Sequence, residues 1–202
     1  MSASTIDTTP TPTPAVGHYR IEPVGTRVRF STRHLLGLGA VSGTVRLREA
    51  DFSLSEPLSA TVQAVLDAAS FDTGNPRRDS DVRSAKYLDV AAYPDITFDS
   101  QQVRLHEGKW VAAGTLTAHG VPVPVDLTID ELRYGDAGEL ILRASAKVDR
   151  YAHQVTAAKG LAARWLTIEV TAIARRIASM PDASKTRTVL LGRQADVIDV
   201  NS

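Results

Sequence analysis

The sequence contains no cysteine. Disulfide frameworks, thiolate nucleophiles and cysteine-ligated metal sites are therefore excluded. Charge of one sign is not in excess either, because 23 Lys and Arg residues balance 23 Asp and Glu residues. A protein that holds nucleic acid through bulk charge needs a basic excess. We therefore expect no nucleic-acid partner.

Long apolar runs are missing as well. No stretch approaches the ~20 apolar residues that a helix needs to cross a bilayer. The N-terminus is rich in Ser, Thr and Pro, and it lacks the basic start and the apolar core of roughly 7–15 residues that mark a secretory signal. We predict no integral membrane span and a cytoplasmic location. The chain has 202 residues, of which 43% are hydrophobic, so one globular domain with a substantial core is expected.

Catalytic motifs are also absent from the sequence. It has no Gly-x-Ser-x-Gly, no phosphate-binding glycine loop and no His-Glu-x-x-His. Five histidines are scattered along the chain, and His34, His119 and His153 fall near predicted strand ends or turns, where they can converge. None of them shows metal-ligand spacing. We predict no catalytic residue and no metal site.

A two-residue period dominates the chain from Tyr19 onward. Val28 and Phe30, for example, alternate with Arg27 and Arg29, which is typical of a half-buried strand. Similar rows recur as far as residue 172 and are separated by short turns. About eight strands joined in this way form antiparallel neighbours, and about eight close a barrel around one small ligand. The sequence therefore predicts an all-β fold, an antiparallel barrel of about eight strands.

Residues 77–89 interrupt this pattern with a charged, helix-forming segment. We predict one inserted α-helix near 77–89 that closes one end of the barrel. Pro122 and Pro124 cannot donate to a ladder, so the start of their strand is predicted to lie at an edge or outside the pairing. We divide the chain into a disordered Thr/Pro-rich arm (1–17), the barrel domain (18–177) and a flexible C-terminal tail (178–202).

Small residues occupy several inward positions of the predicted strands. One interpretation is that they leave room for a ligand inside the barrel, and the other is that they match bulky partners across a filled core. The sequence leaves both open. These positions are Gly43, Ala60, Ala64, Ala112, Gly114, Ala144 and Ala146.

The helical segment carries a cluster of cations, namely Arg77, Arg78, Arg83 and Lys86. The cluster fits a solvated helix face on which Arg83 pairs with Asp79 one turn away. It also fits a basic lip that meets an anionic head group, because Arg binds phosphate oxygens through bidentate hydrogen bonds.

Several motifs in a fixed order carry a family resemblance. They are Phe-Ser-Thr-Arg-His at 30–34, Val-Ser-Gly-Thr-Val at 41–45, Arg-Asp at 78–79, Tyr-Pro-Asp-Ile-Thr-Phe-Asp-Ser at 93–100, and Gly-Thr-Leu-Thr-Ala-His-Gly-Val at 114–121. In this order they resemble the YceI-like family, which is named for a lipocalin-like, polyisoprenoid-binding domain. The similarity covers roughly residues 17–176.

The resemblance implies a lipocalin-like barrel that holds a long isoprenoid chain, such as a quinone tail or a prenyl phosphate, in an apolar tunnel. It implies a non-catalytic carrier with no cofactor other than bound lipid, and a possible homodimer. His34 and Arg78 would lie near the mouth and orient a polar head, while Asp79 would anchor the helix. The predicted ligand-binding residues are Phe30, His34, Val45, Leu66, Arg78, Phe98, Leu116, Leu127, Ile129, Leu142 and Ile168.

The chain departs from the family pattern at three places. Asp81 stands where a His is common, Tyr87-Leu88 where two aromatics are usual, and Arg150-Tyr151-Ala152-His153 replaces an Arg-x-x-Phe-Gly element. These departures concern the expected mouth of the tunnel. Two alternatives to a carrier stay open: a lipid-modifying enzyme that uses the barrel pocket, and a filled-core interaction module.

Overall fold

The fold, taken from a computed structural model, is described for residues 13–34, 39–55, 59–159 and 162–177. The predicted tail (178–202) and most of the predicted arm lie outside these residues. The described part contains nine strands and one helix. They are β1 (Gly17–Ile21), β2 (Arg27–His34), β3 (Gly39–Ser55), β4 (Ser59–Asp72), α1 (Pro76–Arg83), β5 (Asp95–His106), β6 (Lys109–Ala118), β7 (Val121–Tyr134), β8 (Leu140–Asp149) and β9 (Trp165–Ile177).

The nine strands close into a ring of eight positions. β1 and β2 both pair with β3 on one side and with β9 on the other, so they share one position end to end. β3 has 17 residues and is long enough to pair with both. Every other neighbour in the ring follows in chain order, and all pairings are antiparallel. This confirms the predicted antiparallel barrel of about eight strands.

The two ends of the barrel differ in what covers them. Because alternate strands run in the same direction, β2, β4, β6 and β8 all finish at one end, which we call the helix end. The segment that contains α1, the β6–β7 turn and the loop 150–164 lie there. The opposite end, where β1 begins, we call the N-terminal end.

The helix begins as predicted but ends earlier. Asn75 caps it, because its side chain accepts a hydrogen bond from the backbone N–H of Arg78, and Pro76 follows at the first turn. The helix ends at Arg83 because the Ser84 N–H bonds to the carbonyl of Asp81. Residues 84–93 continue in turns up to β5. The inserted segment is therefore a short helix followed by a compact coil.

Two hairpin turns match their sequence signals. Glu107 and Gly108 have φ values of 48° and 77°, and His119 and Gly120 have values of 52° and 70°. A two-residue type I′ turn requires positive φ at both central positions. These turns fix the registers of β5 with β6 and of β6 with β7.

The prolines of β7 mark a one-sided edge. Pro122 lies opposite Thr117 and Pro124 opposite Thr115 in β6, so the start of the strand is paired on that side. The pairing with β8 begins only at Thr128. The start of β7 is therefore an unpaired edge only on the side that faces β8. On that side the N–H groups that proline lacks are not needed for a ladder hydrogen bond.

Candidate ligand-binding cavity

The barrel encloses an apolar cavity of about 780 Å³. This volume lies in the upper part of the ~300–1,000 Å³ range of small-molecule sites. Inward-facing side chains of the strands form its wall. Leu66, Leu127 and Ile168 are among those that are only half-buried although they point inward, because the cavity leaves their inner surfaces uncovered. The interior of the barrel therefore contains a lined space next to packed clusters such as the one around Tyr19 and Leu140.

The structure brings the predicted ligand-binding residues together in this wall, although their contact with a ligand stays a prediction. His34 is the exception, because its side chain lies outside the described residues; its backbone ends β2 at the helix end. The other ten, all in the wall, are Phe30, Val45, Leu66, Arg78, Phe98, Leu116, Leu127, Ile129, Leu142 and Ile168.

The sequence left open whether the small inward residues make room for a ligand or match bulky partners. In the structure some do one and some do the other. The glycines match aromatic partners: a Cβ on Gly43 or Gly114 would lie 2.5 Å or 2.6 Å from the Cζ atom of Phe30 or Phe98. The alanines instead border the cavity and leave it wide. These alanines are Ala60, Ala64, Ala112, Ala144 and Ala146.

Arg78 enters the wall from α1 at the helix end. Its Nε donates to Thr73 Oγ1 over 2.7 Å, and one Nη2 hydrogen points to the Thr73 carbonyl at 3.4 Å. Among the described residues, the Nη1 hydrogens and the second Nη2 hydrogen have no partner. Thr73 thus holds the guanidinium on its Nε side, and the remaining N–H donors are available to a ligand.

Asp79 anchors the helix, as predicted. Its side chain is buried, and its Oδ1 accepts hydrogen bonds from the N–H of Thr73 at 3.0 Å and from the hydroxyl of Thr73 at 2.6 Å. Burial raises the pKa of this carboxyl, but the hydrogen bonds from Thr73, a side-chain contact with Asp72 and the charge of Arg83 together leave the pKa below the ordinary value. Since Thr73 also accepts from Arg78, the chain Asp79–Thr73–Arg78 fixes the guanidinium at the cavity.

The rest of the cationic cluster does not line the cavity. Arg83 donates to the backbone carbonyl of Phe71 at 2.6 Å, and no ion pair joins it to Asp79 among the described residues. The two side chains that could pair directly on the helix therefore do not, because the Asp79 carboxylate binds Thr73 and Arg83 binds the Phe71 carbonyl, although the charge of Arg83 still helps to lower the pKa of Asp79. Arg77 and Lys86 are exposed, so the lip consists of Arg78 alone on this segment.

Arg150 is a second cation in the wall at the same end, and it is buried. Four backbone carbonyls surround its guanidinium: those of Ala163, Val155, Ala157 and Ala162, at 2.6–3.0 Å. The neighbouring carboxylate, Asp149, binds Arg164 instead. Arg150 therefore connects residues 155–157 with residues 162–163 and has no carboxylate partner among the described residues.

Arg150 is not among the ligand-binding residues predicted from sequence, although a signal is present. The inward positions of β8 are Leu140, Leu142, Ala144, Ala146 and Val148. Continuing the two-residue period by one step places residue 150 on the same side. Arg150 is an inward residue of a strand that has just ended.

His153 also lies in the wall and is 2% exposed. Its Nδ1 lies 2.9 Å from the carbonyl oxygen of Val121, so Nδ1 carries the proton, whereas Nε2 is buried without a partner among the described residues. Burial lowers the pKa of His153, although the Val121 carbonyl and the charge of Asp149 act in the opposite direction. His119 contacts the backbone carbonyl of His153 at 3.3 Å, so these two histidines converge as predicted and connect the loop 150–164 to the β6–β7 turn.

Thr13–Val16 line the cavity at the N-terminal end. The hydroxyl of Tyr19 donates to the Ala15 carbonyl at 2.7 Å, and Arg176 donates to the Val16 carbonyl at 2.6 Å. These four residues were assigned to the disordered arm in the sequence analysis. In the structure they precede β1 as part of the cavity wall.

Two other features are absent from the described residues. They contain no group of three or more His, Asp or Glu side chains that could hold a metal ion. No helix in this part of the chain is long and apolar enough to cross a membrane.

Comparisons with known proteins agree with this architecture. The model of the YceI-like domain matches residues 19–174. Proteins named YceI from Salmonella arizonae and Salmonella paratyphi B are each 33% identical to this chain over 122 residues, which cover 58% of this chain and 63% of each relative. The chain thus spans less than two thirds of the length of the curated relatives that it matches.

Two solved structures share the fold at low sequence identity. BcnA of Burkholderia cenocepacia has a TM-score of 0.67 and 18% identity, covering 77% of this chain and 99% of that protein. A polyisoprenoid binding domain from Saccharophagus degradans, implicated in plant cell wall breakdown, has a TM-score of 0.56 and 14% identity, covering 81% and 100%. At these identities the likeness supports the fold alone.

Proposed function

This chain belongs to the YceI-like family, and on that basis we propose that its barrel binds an isoprenoid or a similar long-chain lipid. The observation that carries the proposal is the apolar cavity inside the barrel, in which the charged residues of the described wall, Arg78 and Arg150, both lie at the helix end. A lipid has the same division into a long apolar part and one polar end. Its tail would be held by removal of apolar surface from water, at about 25 cal/mol per Å².

We propose carriage or sequestration of the lipid and not its chemical conversion. An acid–base reaction needs a titratable pair at the substrate, and no Asp or Glu lines the described part of the cavity. His153 is a wall residue, but one of its nitrogens is engaged by Val121 and the other is buried. The rival interpretation, a lipid-modifying enzyme, therefore has few groups to work with.

The cavity counts against the other rival, an interaction module with a filled core. Such a module would pack large side chains across the space that Ala112, Ala144 and Ala146 leave open. A prenyl phosphate and an isoprenoid quinone are the two ligand types that we propose. The possible homodimer and the cytoplasmic location are not needed for this function and stay predictions.

Native mass spectrometry of the freshly purified protein, followed by solvent extraction, tests the proposal. We expect one lipid per barrel, with fragments spaced by isoprene units. Protein that stays empty after incubation with isoprenoid quinones and prenyl phosphates would contradict it.

A matched pair of variants locates the ligand. Ala112 faces the cavity, whereas the side chain of the adjacent Ala113 faces away by strand alternation. Ala112→Phe should displace the lipid because the added ring fills the cavity. Ala113→Phe adds the same ring outside the cavity and should leave the bound lipid unchanged. Equal lipid content in the two variants would place the lipid elsewhere.

A further inference from the structure

We propose that the ligand is a single-chain lipid with an anionic head group, a phosphate or a carboxylate, which Arg78 binds at the helix end. This inference rests on the proposed function and narrows its ligand class. It also sets an orientation, with the head at the helix end and the tail toward the N-terminal end.

The unpaired donors of Arg78 are the first observation. Thr73 holds the Nε side of the guanidinium, and three N–H groups on the other side have no partner among the described residues. A phosphate or carboxylate accepts two such hydrogen bonds at once, with matching geometry. A quinone carbonyl offers neutral oxygens, which gain less from a cation.

The second observation is the charge of Arg150. Its guanidinium is buried within carbonyl dipoles, and no carboxylate neutralises it among the described residues. A buried charge without a countercharge is costly. An anion at the same end of the cavity would lower that cost even without touching Arg150, because electrostatic interactions are weakly screened in an apolar interior.

The nearby carboxylates do not remove this preference. Asp79 is bound by Thr73 and does not line the cavity. Asp149 accepts three hydrogen bonds from Arg164, whose side chain is 54% exposed. Neither carboxylate faces the described cavity wall, where the charge is therefore wholly positive. Neutral lipids gain less from such a wall than anionic lipids do.

Binding of geranylgeraniol, geranylgeranyl phosphate and oleate to the delipidated protein tests the inference. The first two share one tail and differ only in the head group, and oleate carries a carboxylate. We expect at least one of the anions to bind about tenfold or more tightly than the alcohol, as charge-assisted hydrogen bonds imply. The comparison of phosphate with carboxylate identifies which anion the site takes.

The variants Arg78→Gln and Arg77→Gln assign the preference to one side chain. Arg77 lies next to Arg78 on α1 but is exposed and does not line the cavity. Arg78→Gln should lose most of the preference for the anion while still binding the alcohol, and Arg78→Lys should keep part of it. Arg77→Gln should behave as the wild type.

The outcomes separate this inference from the proposed function. Equal affinity of the wild type for all three lipids would overturn the anionic head group but leave lipid binding intact. Failure to bind any of them or the quinones would overturn both. If Arg78→Gln does not fold, the wild-type comparison of the alcohol with the two anions still decides the question.

Discussion

The ring of Phe98 in β5 lies over Gly114 in β6, so that a Cβ on Gly114 would lie 2.6 Å from the Cζ atom of Phe98. The same Cβ would lie 2.6 Å from the carbonyl oxygen of Asp99. Real Cβ atoms do not approach this closely, so a side chain at position 114 would displace the ring and the backbone of β5. The absence of a side chain at Gly114 is what leaves room for the Phe98 ring at this position.

Gly114→Ala is therefore expected to destabilise the protein by about 1–3 kcal/mol, the usual cost of overpacking. The measurement is the free energy of unfolding in urea. Adding Phe98→Leu should recover part of this loss, because a leucine does not extend over position 114. Simple addition of the two single losses in the double variant would show that the ring and the glycine are not coupled.

Asp149 is predicted to contribute to the acid sensitivity of the fold. The hydrogen bonds from Arg164 hold its pKa below the ordinary value. A carboxyl with a depressed folded pKa stabilises the protein above its unfolded pKa of about 3.9, and this stabilisation is lost as the pH falls through the folded value. Stability should therefore decline below about pH 4 in the wild type, and less steeply in Asp149→Asn.

The control for this prediction is Asp126→Asn. Asp126 pairs with Arg104 on the outer surface, where the two side chains are 55% and 43% exposed, whereas Asp149 is 11% exposed. An exposed pair contributes little. Urea unfolding at several pH values measures both variants, and identical pH profiles for Asp149→Asn and the wild type would contradict the role of this pair.

His153 is predicted to act in a different pH window. Because burial lowers its pKa, the unfolded chain takes up a proton near pH ~6.5 while the folded protein does not. The free energy of unfolding should thus fall as the pH drops below about 6.5, until the folded pKa is reached. His153→Phe should remove this slope. The control variant is His18→Ala, which removes an exposed histidine instead. A slope that persists in His153→Phe would contradict its assignment to His153.

The barrel was predictable because its strands repeat one simple pattern. Alternation gave the inward rows, and the Glu107-Gly108 and His119-Gly120 pairs gave two turns with the required positive φ values. The end of the helix was not predictable in the same way. It depends on the hydrogen bond of Ser84 to Asp81 and on the packing of residues 84–93, and helix-forming composition continues past that point.

The residues of the site also fall into a group that was predictable from sequence and a group that was not. The apolar wall follows from strand alternation, so residues such as Leu127 and Ile168 were placed from sequence. The polar end depends on loops whose contacts join distant parts of the chain. Thr73 connects Asp79 to Arg78, and Val121 holds His153. No local pattern encodes such contacts, and Arg150 was the one exception that alternation could have found.

The last prediction concerns Thr13–Val16, which close part of the N-terminal end through hydrogen bonds with Tyr19 and Arg176. Deleting residues 1–16 removes this part of the wall, so a bound lipid should dissociate faster and a longer tail should be accepted. Deleting residues 1–12 keeps the contacts and should retain wild-type release rates and tail preference. Release of a fluorescent lipid, measured for both truncations with tails of two lengths, tests this. Equal rates and equal length preference would show that the wall at this end is complete from Gly17 onward.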